Sequence, residues 1–132
     1  MPRFIRYSTW RAAIALVWMR RSLDFQTALL DSMHTDRSQS LSNVAREAYR
    51  THLEPYHNFW LKNTFRAGLS AMPARGEFLV KLAADLAESV GPEEREAICY
   101  AEMAELVEVQ QKALAALSKI FVELDLEDNR RA

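Results

Sequence analysis

Residues 15–25 read ALVWMRRSLDF, and this stretch decides the fold class. Ile14, Trp18, Arg21 and Phe25 follow one another at steps of three or four residues, which is the spacing of one helix face. The middle of the segment is apolar on every side, and this pattern is typical of a helix buried at the centre of a fold. We therefore predict a central helix over residues 6–33 in an all-α protein.

The same periodicity predicts helices along the rest of the 132-residue chain, which we take as a single domain over residues 1–132. Polar residues 34–40 predict a loop, and proline or glycine marks the later boundaries. Residues 125–132, a mixed acidic and basic tail, are predicted to be disordered. The predicted helices run from Ser42 to Glu54, from Pro55 or Tyr56 to a turn at 72–76, from Glu77 to Val90, and from Pro92 to the tail.

Composition excludes several function classes. Seventeen basic and eighteen acidic residues give a formal net charge of -1, so no global field attracts nucleic acid. The longest apolar run, residues 12–19, is far shorter than the roughly twenty residues of a membrane-spanning helix, and no signal-peptide pattern is present. The single Cys99 cannot form an intramolecular bridge, which fits a reducing compartment, so we predict a cytoplasmic protein.

No catalytic or cofactor motif is evident, so we predict neither an enzyme nor a cofactor. The three histidines lie outside known nucleophile and zinc motifs, and the three glycines are too far apart for a phosphate loop. Glu54 and His57 have the Glu-x-x-His spacing of di-iron bundles, but a second copy is missing. We therefore predict no metal site.

Two blocks resemble one known family. The first is the ALVWMRRSLDF stretch, and the second is YHNFW at residues 56–60, followed by a Met-Pro turn at residues 72–73. In this order and at this spacing, they resemble the carboxyl-terminal part of the glycolipid transfer protein domain. The resemblance implies part of a two-layer helical sandwich from which the amino-terminal helices, with the family's Asp and Asn head-group motif, are absent. Such a domain would be either truncated or a diverged short form that lacks half of the sandwich.

The resemblance implies non-enzymatic transfer or sensing of one sphingolipid, a glycosphingolipid or ceramide 1-phosphate, with transient contact to membranes. Its head group would meet Trp18 and His57, with Arg11 and Tyr7 as weaker candidates for a phosphate. Trp60 would contact the membrane. An apolar cavity for the lipid chains would be lined by Ile14, Phe25, Phe59, Ala67, Phe78, Leu79 and Leu82.

Each of these assignments has a structural alternative. His57 could be a histidine satisfied at a helix start, Trp18 a core tryptophan, and Arg11 a solvated residue. A helical protein-interaction module without lipid transfer is the alternative function. Without an amino-terminal layer, the faces of residues 12–19 and of the Phe59 helix would be uncovered, which predicts dimerisation or aggregation.

Overall fold

The structure, a computed structural model, describes the backbone of residues 3–126 and the side chains of residues 11–126. Five α-helices and one 3-10 turn make up this part of the chain, and no strand occurs within it. The all-α fold class is therefore confirmed. The helices are α1 (Arg3–Thr35), α2 (Leu41–His52), α3 (Phe59–Ser70), α4 (Arg75–Leu82) and α5 (Pro92–Leu124), and the 3-10 turn spans Glu54–Tyr56.

Helices α1 and α5 form the long axis of the molecule. Each has 33 residues and is about 50 Å long. They run antiparallel, because Arg20 lies over the ring of Phe121 whereas Thr27, further along α1, donates a hydrogen bond of 2.9 Å to Gln110. The Thr27–Gln110 pair is buried, so the two polar groups satisfy each other inside the contact.

Two apolar clusters fix the remaining helices on α1. One lies around its carboxyl-terminal end, where Met33 is buried with residues of α2, α4 and α5. The other joins α2 to α3 and includes the partly buried Phe25 of α1. The buried members of the first cluster are Met33, Leu41, Val44, Leu79, Ala83, Cys99, Tyr100 and Met103, and those of the second are Ala45, Tyr49, Leu53 and Leu69.

Arg75, at the start of α4, ties the end of α1 to the loop that follows it. Its guanidinium donates hydrogen bonds to the carbonyls of Met33 at 2.6 Å, Asp36 at 3.0 Å and Gln39 at 2.6 and 2.9 Å. It also contacts the hydroxyl of Tyr100 at 3.2 Å. Carbonyls at a helix end lack intrahelical partners, so Arg75 stabilises this end of the helix.

Arg95 has the same function after α4. It donates to the carbonyls of Ala83 at 2.8 Å, Ala87 at 2.7 Å and Val90 at 2.8 Å, which lie between α4 and α5. This irregular segment is therefore held on the first turn of α5 by side-chain bonds. The predicted helix over Glu77–Val90 is wrong in its second half, because α4 ends at Leu82.

Most other boundaries agree with the sequence. The first helix, the polar loop, the helix beginning near Ser42 and the long final helix all lie within a few residues of their predicted places. The third helix is an exception, because α3 begins at Phe59 and not at Pro55 or Tyr56. Pro55 lies inside the 3-10 turn, and the Asn58 side chain caps α3 by accepting a 3.0 Å bond from the Leu61 amide.

Large apolar side chains remain exposed on several helices. Trp60 is 77% exposed, Phe59 68%, and Val109 on α5 63%. None of the helices within residues 3–126 combines the length and apolar character needed to cross a membrane. The tail prediction concerns mainly residues 127–132, which lie outside the described residues.

Candidate functional site

Trp18 and His57 lie against each other. Trp18 comes from the middle of α1, whereas His57 follows the 3-10 turn, 39 positions later in the sequence. The indole and imidazole rings are stacked, with centroids 5.9 Å apart and planes 28° from parallel. The proline-containing 3-10 turn interrupts the helical path between α2 and α3 and so leaves His57 in extended backbone.

His57 is enclosed by aromatic side chains. Only 6% of the residue is exposed, and the ring of Phe65 lies 5.4 Å away. The Nδ1 atom is 3.0 Å from the hydroxyl of Tyr49, which is itself buried. Burial lowers the pKa of His57 below its usual 6.5, and the positive charge of Lys62 acts in the same direction. The imidazole is therefore neutral at neutral pH.

The hydrogen bond to Tyr49 has a consequence for the tautomer of His57. In a neutral imidazole, one nitrogen donates and the other accepts. Burial raises the pKa of Tyr49, with the Glu54 carboxylate adding to the effect, so the phenol keeps its proton. If the Tyr49 hydroxyl donates to Nδ1, the imidazole hydrogen is on Nε2, which is then a donor.

Arg21 lies one turn after Trp18 on α1 and is 2% exposed. Its guanidinium carbon is 3.6 Å from the centroid of the Tyr56 ring and 4.9 Å from that of Trp18. Both distances are within the range of cation–π contacts. Tyr56, Arg21, Trp18 and His57 thus form a continuous contact, which we call the aromatic–arginine cluster.

The two weaker head-group candidates, Arg11 and Tyr7, precede Trp18 on α1. Arg11 is exposed and lies about 10 Å from Trp18 along the helix axis. Tyr7 is part of the same helix, but its side chain lies outside the described residues. Neither residue is thus shown beside Trp18, and their roles stay predictions.

The residues predicted to line an apolar cavity are distributed over the molecule. Phe25 lies edge-on to Phe65 at 5.9 Å, close to the aromatic–arginine cluster. Leu79 is buried in the cluster around Met33, and Phe78 packs against that cluster. Ile14 is partly buried, whereas Phe59, Ala67 and Leu82 are exposed. The structure therefore does not bring these seven residues into one enclosed space, and their contact with lipid chains stays a prediction.

Neither Trp18 nor His57 lines either of two surface pockets. One, of about 470 Å³, is lined mainly by charged residues of α2, α3 and the 3-10 turn, and Tyr49, which bonds His57, is also part of its lining. The other, of about 410 Å³, lies between α4 and α5 and includes Leu79. The three arginines at the first pocket are Arg46, bonded to Ser70, Arg50, paired with Glu47, and Arg66, paired with Glu54.

The Glu54–His57 spacing is not accompanied by a metal-ligand group. Glu54 forms an ion pair of 2.6 Å with Arg66, and Nδ1 of His57 faces Tyr49. Within the described part of the chain, three or more His, Cys, Asp or Glu residues nowhere come together in a way that could hold a metal ion. Cys99 is buried, and burial raises the pKa of its thiol, with the Glu102 carboxylate adding to the effect.

Sequence comparison connects this geometry to a family. The glycolipid transfer protein (GLTP) family matches residues 6–84, which include most of α1 and the whole aromatic–arginine cluster. This match covers more than half of the chain. The chain belongs to the glycolipid transfer protein family.

Members of the glycolipid transfer protein family from distant organisms are similar to this chain. The glycolipid transfer protein of Aureobasidium melanogenum is 38% identical over 76 residues, covering 58% of this chain and 38% of that protein. The glycolipid transfer protein of Danio rerio is 34% identical over 73 residues, covering 52% and 35%. The matched part is therefore little more than a third of either relative.

Solved structures share the fold at 20% identity. FAPP2, which selects simple glycosphingolipids using the GLTP fold, superimposes with a TM-score of 0.78 over 92% of this chain and 56% of that chain. A point mutant of Arabidopsis ACD11, in complex with C12 ceramide-1-phosphate, gives a TM-score of 0.69 over 85% and 51%. The five helices of this chain thus correspond to about half of a GLTP-fold chain.

Four residues around Trp18 and His57 are not among the site residues predicted from the sequence: Arg21, Tyr49, Tyr56 and Phe65. A signal for Arg21 exists, because it is a charged residue on the otherwise apolar face that includes Trp18 and Phe25. Tyr49 carries no such signal, since a tyrosine on an amphipathic helix is usually a core residue.

Proposed function

We propose that this chain binds one sphingolipid at Trp18 and His57 and acts in non-enzymatic lipid transfer or sensing at the cytoplasmic surface of membranes. The observation that carries this proposal is the stacked Trp18–His57 pair in a chain of the glycolipid transfer protein family. If Trp18 were only a core residue and His57 only a residue at a helix start, each would need packing or hydrogen-bond partners. Nothing would then require the two rings to stack on each other.

Transfer of such a lipid is limited by its hydrocarbon chains. Exposing each methylene to water costs about 0.8 kcal/mol, so spontaneous passage between bilayers is slow. A protein that covers the chains lowers this penalty without any bond being made or broken. Among the residues predicted to do so, Phe25 is the best placed, since it contacts Phe65, which in turn contacts His57. Ile14, Phe59, Ala67, Phe78, Leu79 and Leu82 remain candidates.

Recognition of the sphingolipid would come from polar groups near His57. With Tyr49 donating to Nδ1, Nε2 can donate to the carbonyl oxygen of the ceramide amide. Trp18 offers an indole face to the first head-group moiety, sugar or phosphate. Arg11, and Tyr7 on the preceding turn, could approach a phosphate, for which a guanidinium is well suited.

Membrane contact would involve Trp60 and the neighbouring Phe59. Both side chains are largely exposed, and their rings contact each other at 5.8 Å in an edge-on arrangement at the start of α3. Exposed aromatic side chains partition into the interfacial region of a bilayer. His57 precedes this pair by two residues, so docking would bring the site near the lipid surface.

The test is transfer of fluorescent galactosylceramide and ceramide 1-phosphate between vesicles. We expect His57→Ala and Trp18→Ala to lower the transfer rate at least about fivefold, because loss of a buried hydrogen bond or ring contact weakens binding by about 1 kcal/mol or more. His52→Ala, a histidine outside the cluster, should transfer like the wild type. Trp60→Ser should weaken vesicle association without changing the affinity for dissolved short-chain lipid.

The alternative function, a helical protein-interaction module, makes the opposite prediction. A wild-type chain that is folded but takes up neither lipid from vesicles would contradict the proposal and favour this alternative. Self-association also stays a prediction, motivated by exposed side chains such as Leu16, Met19 and Val109. Sedimentation of the 132-residue chain tests it, and a stable monomer that binds no apolar dye would contradict it.

A further inference from the structure

The most unusual side chain in the described part of the fold is Arg21. A guanidinium is always charged, and removing it from water is costly unless other groups offset the loss. Arg21 is nonetheless 2% exposed, and it lies over the faces of two rings. One ring belongs to Trp18, on its own helix, and the other to Tyr56, next to His57 in sequence.

The guanidinium has the geometry to orient these rings. It is planar and weakly hydrated, so it stacks on aromatic faces, and such contacts gain strength when they are withdrawn from solvent. The 3.6 Å distance to Tyr56 corresponds to direct stacking. Arg21 thereby connects α1 to the 3-10 turn that precedes His57.

Trp18 contacts both Arg21 and His57. The centroid of its indole ring is 4.9 Å from the guanidinium carbon of Arg21 and 5.9 Å from the centroid of the His57 ring, so rotation of the indole would disturb both contacts. A head group that stacks on Trp18 needs the indole plane fixed before it binds, because any ordering on binding is subtracted from the affinity.

We propose that Arg21 is a positioning residue, which holds the plane of Trp18 against His57 by stacking between Trp18 and Tyr56. Arg21 acts on the sphingolipid through Trp18 and does not touch it. This inference rests on the proposed function for its effect on lipid binding, whereas its effect on Trp18 itself is independent of any lipid.

Arg20 is a matched control. It is the preceding residue on the same helix and also lies over an aromatic ring, but that ring is Phe121 of α5, at 4.6 Å. Substitution of Arg20 therefore removes a comparable cation–π contact away from Trp18. The pair Arg20→Met and Arg21→Met separates a general loss of packing from an effect on the indole.

The first experiment observes Trp18 without lipid. In a Trp10→Phe, Trp60→Phe background, Trp18 is the only tryptophan of the 132-residue chain. We expect Arg21→Met and Arg21→Lys to lower the fluorescence anisotropy of Trp18 and increase its quenching by acrylamide, since lysine keeps the charge but lacks the planar group. Arg20→Met should change neither signal. Circular dichroism verifies the fold.

Tyr56→Leu tests the same proposal from the other side. It removes one ring of the stack and leaves the Arg21 charge in place, so it remains informative if Arg21→Met fails to fold. We expect a change in Trp18 anisotropy of the same sign. Unchanged anisotropy and quenching in folded Arg21→Lys and Tyr56→Leu variants would overturn the proposal.

The second experiment measures binding of short-chain ceramide 1-phosphate and galactosylceramide. Loss of the cation–π contact is expected to weaken binding of the preferred lipid about three- to tenfold in Arg21→Met. In a Trp18→Leu background, the same substitution should cause no further loss, because Arg21 acts through Trp18. Additive losses would overturn the positioning role.

The two experiments separate this inference from the proposed function. A wild-type chain that binds neither lipid contradicts the proposed function, and the fluorescence of Trp18 then still decides whether Arg21 orients it. Lipid binding that is weakened equally in Arg20→Met and Arg21→Met would also contradict the inference, since the loss would then be unrelated to Trp18.

Discussion

Two arginines connect α1 to other parts of the chain in different ways: Arg75 of α4 binds its carboxyl-terminal end, and Arg21 extends from its middle. Arg75 donates to the carbonyls of Met33, Asp36 and Gln39 and so holds backbone segments together. Arg21 lies on the faces of Trp18 and Tyr56 and so orients side chains. Arg75 is partly buried and Arg21 is buried, but only Arg21 contacts a residue of the candidate site, Trp18.

The difference indicates a division of the molecule into a scaffold and a site. Around Met33, hydrogen bonds and apolar packing determine where the helices end. Around Trp18, aromatic rings and a buried charge lie in an arrangement that stability alone does not require, because apolar residues of similar volume often stabilise a core as well as buried charges do. Substitutions in the two regions should therefore have different effects.

The largest effect on stability is expected for Arg75→Met. It leaves three carbonyls and the end of α1 without this donor, which should lower the free energy of unfolding by about 3 kcal/mol. Urea denaturation measures the change. Arg46→Met, which removes one exposed bond to Ser70, serves as the control and should cost under about 1 kcal/mol. A loss for Arg75→Met no larger than the control would remove the distinction between scaffold and site.

A smaller effect on stability, with a larger effect on lipid, is expected for Tyr49→Phe. The substitution removes the hydroxyl that bonds His57 Nδ1 and should cost about 1 kcal/mol of stability. Lipid transfer should fall, because the tautomer of His57 is no longer fixed. Tyr100→Phe, which removes a hydroxyl near Arg75 at 3.2 Å, should lower stability without affecting transfer. Lower transfer in Tyr100→Phe and unchanged transfer in Tyr49→Phe would contradict the division into scaffold and site.

The smallest effect is a pH dependence of stability due to His57. Its pKa is lowered from 6.5 in the folded chain, so the unfolded state binds more protons as the pH falls below that value. Stability should therefore decrease from about pH 6.5 downward until the folded pKa has been passed. In thermal unfolding, His57→Gln should not show this decrease of stability below about pH 6.5, whereas His52→Gln should still show it. If the stability of His57→Gln and of the wild type depended on pH in the same way, burial of His57 would not lower its pKa in the folded chain, and the prediction would be contradicted.

Much of the fold could be predicted from the sequence because it depends on local spacing. The first helix follows from the periodicity around Trp18, and α5 follows from Gly91, Pro92 and the periodicity after them. The expected burial of the middle of the first helix is wrong on one side, where Leu16 and Met19 are exposed. The prediction that the fourth helix continues over residues 83–90 is wrong for a physical reason. Leu86 does pack against the core, but Arg95 binds the carbonyls of residues 83, 86, 87 and 90 in a non-helical segment.

The candidate site could be predicted only in part. That Trp18 and His57 belong together followed from the resemblance of two blocks, since 39 positions separate them and no spacing rule connects them. The bond between Tyr49 and His57 and the stack of Arg21 on Tyr56 depend on how α1, α2 and the 3-10 turn meet. Such tertiary contacts have no periodic signature, so they became visible only in the structure.

The central claim is that the imidazole of His57 meets the sphingolipid. Nitrogen-detected magnetic resonance of the chain with labelled histidine tests this most directly, because His34, His52 and His57 are its only histidines. On addition of short-chain ceramide 1-phosphate or galactosylceramide, we expect the Nε2 resonance of His57 to shift while those of His34 and His52 stay in place. Bound lipid that leaves the Nε2 resonance of His57 unchanged would contradict the account.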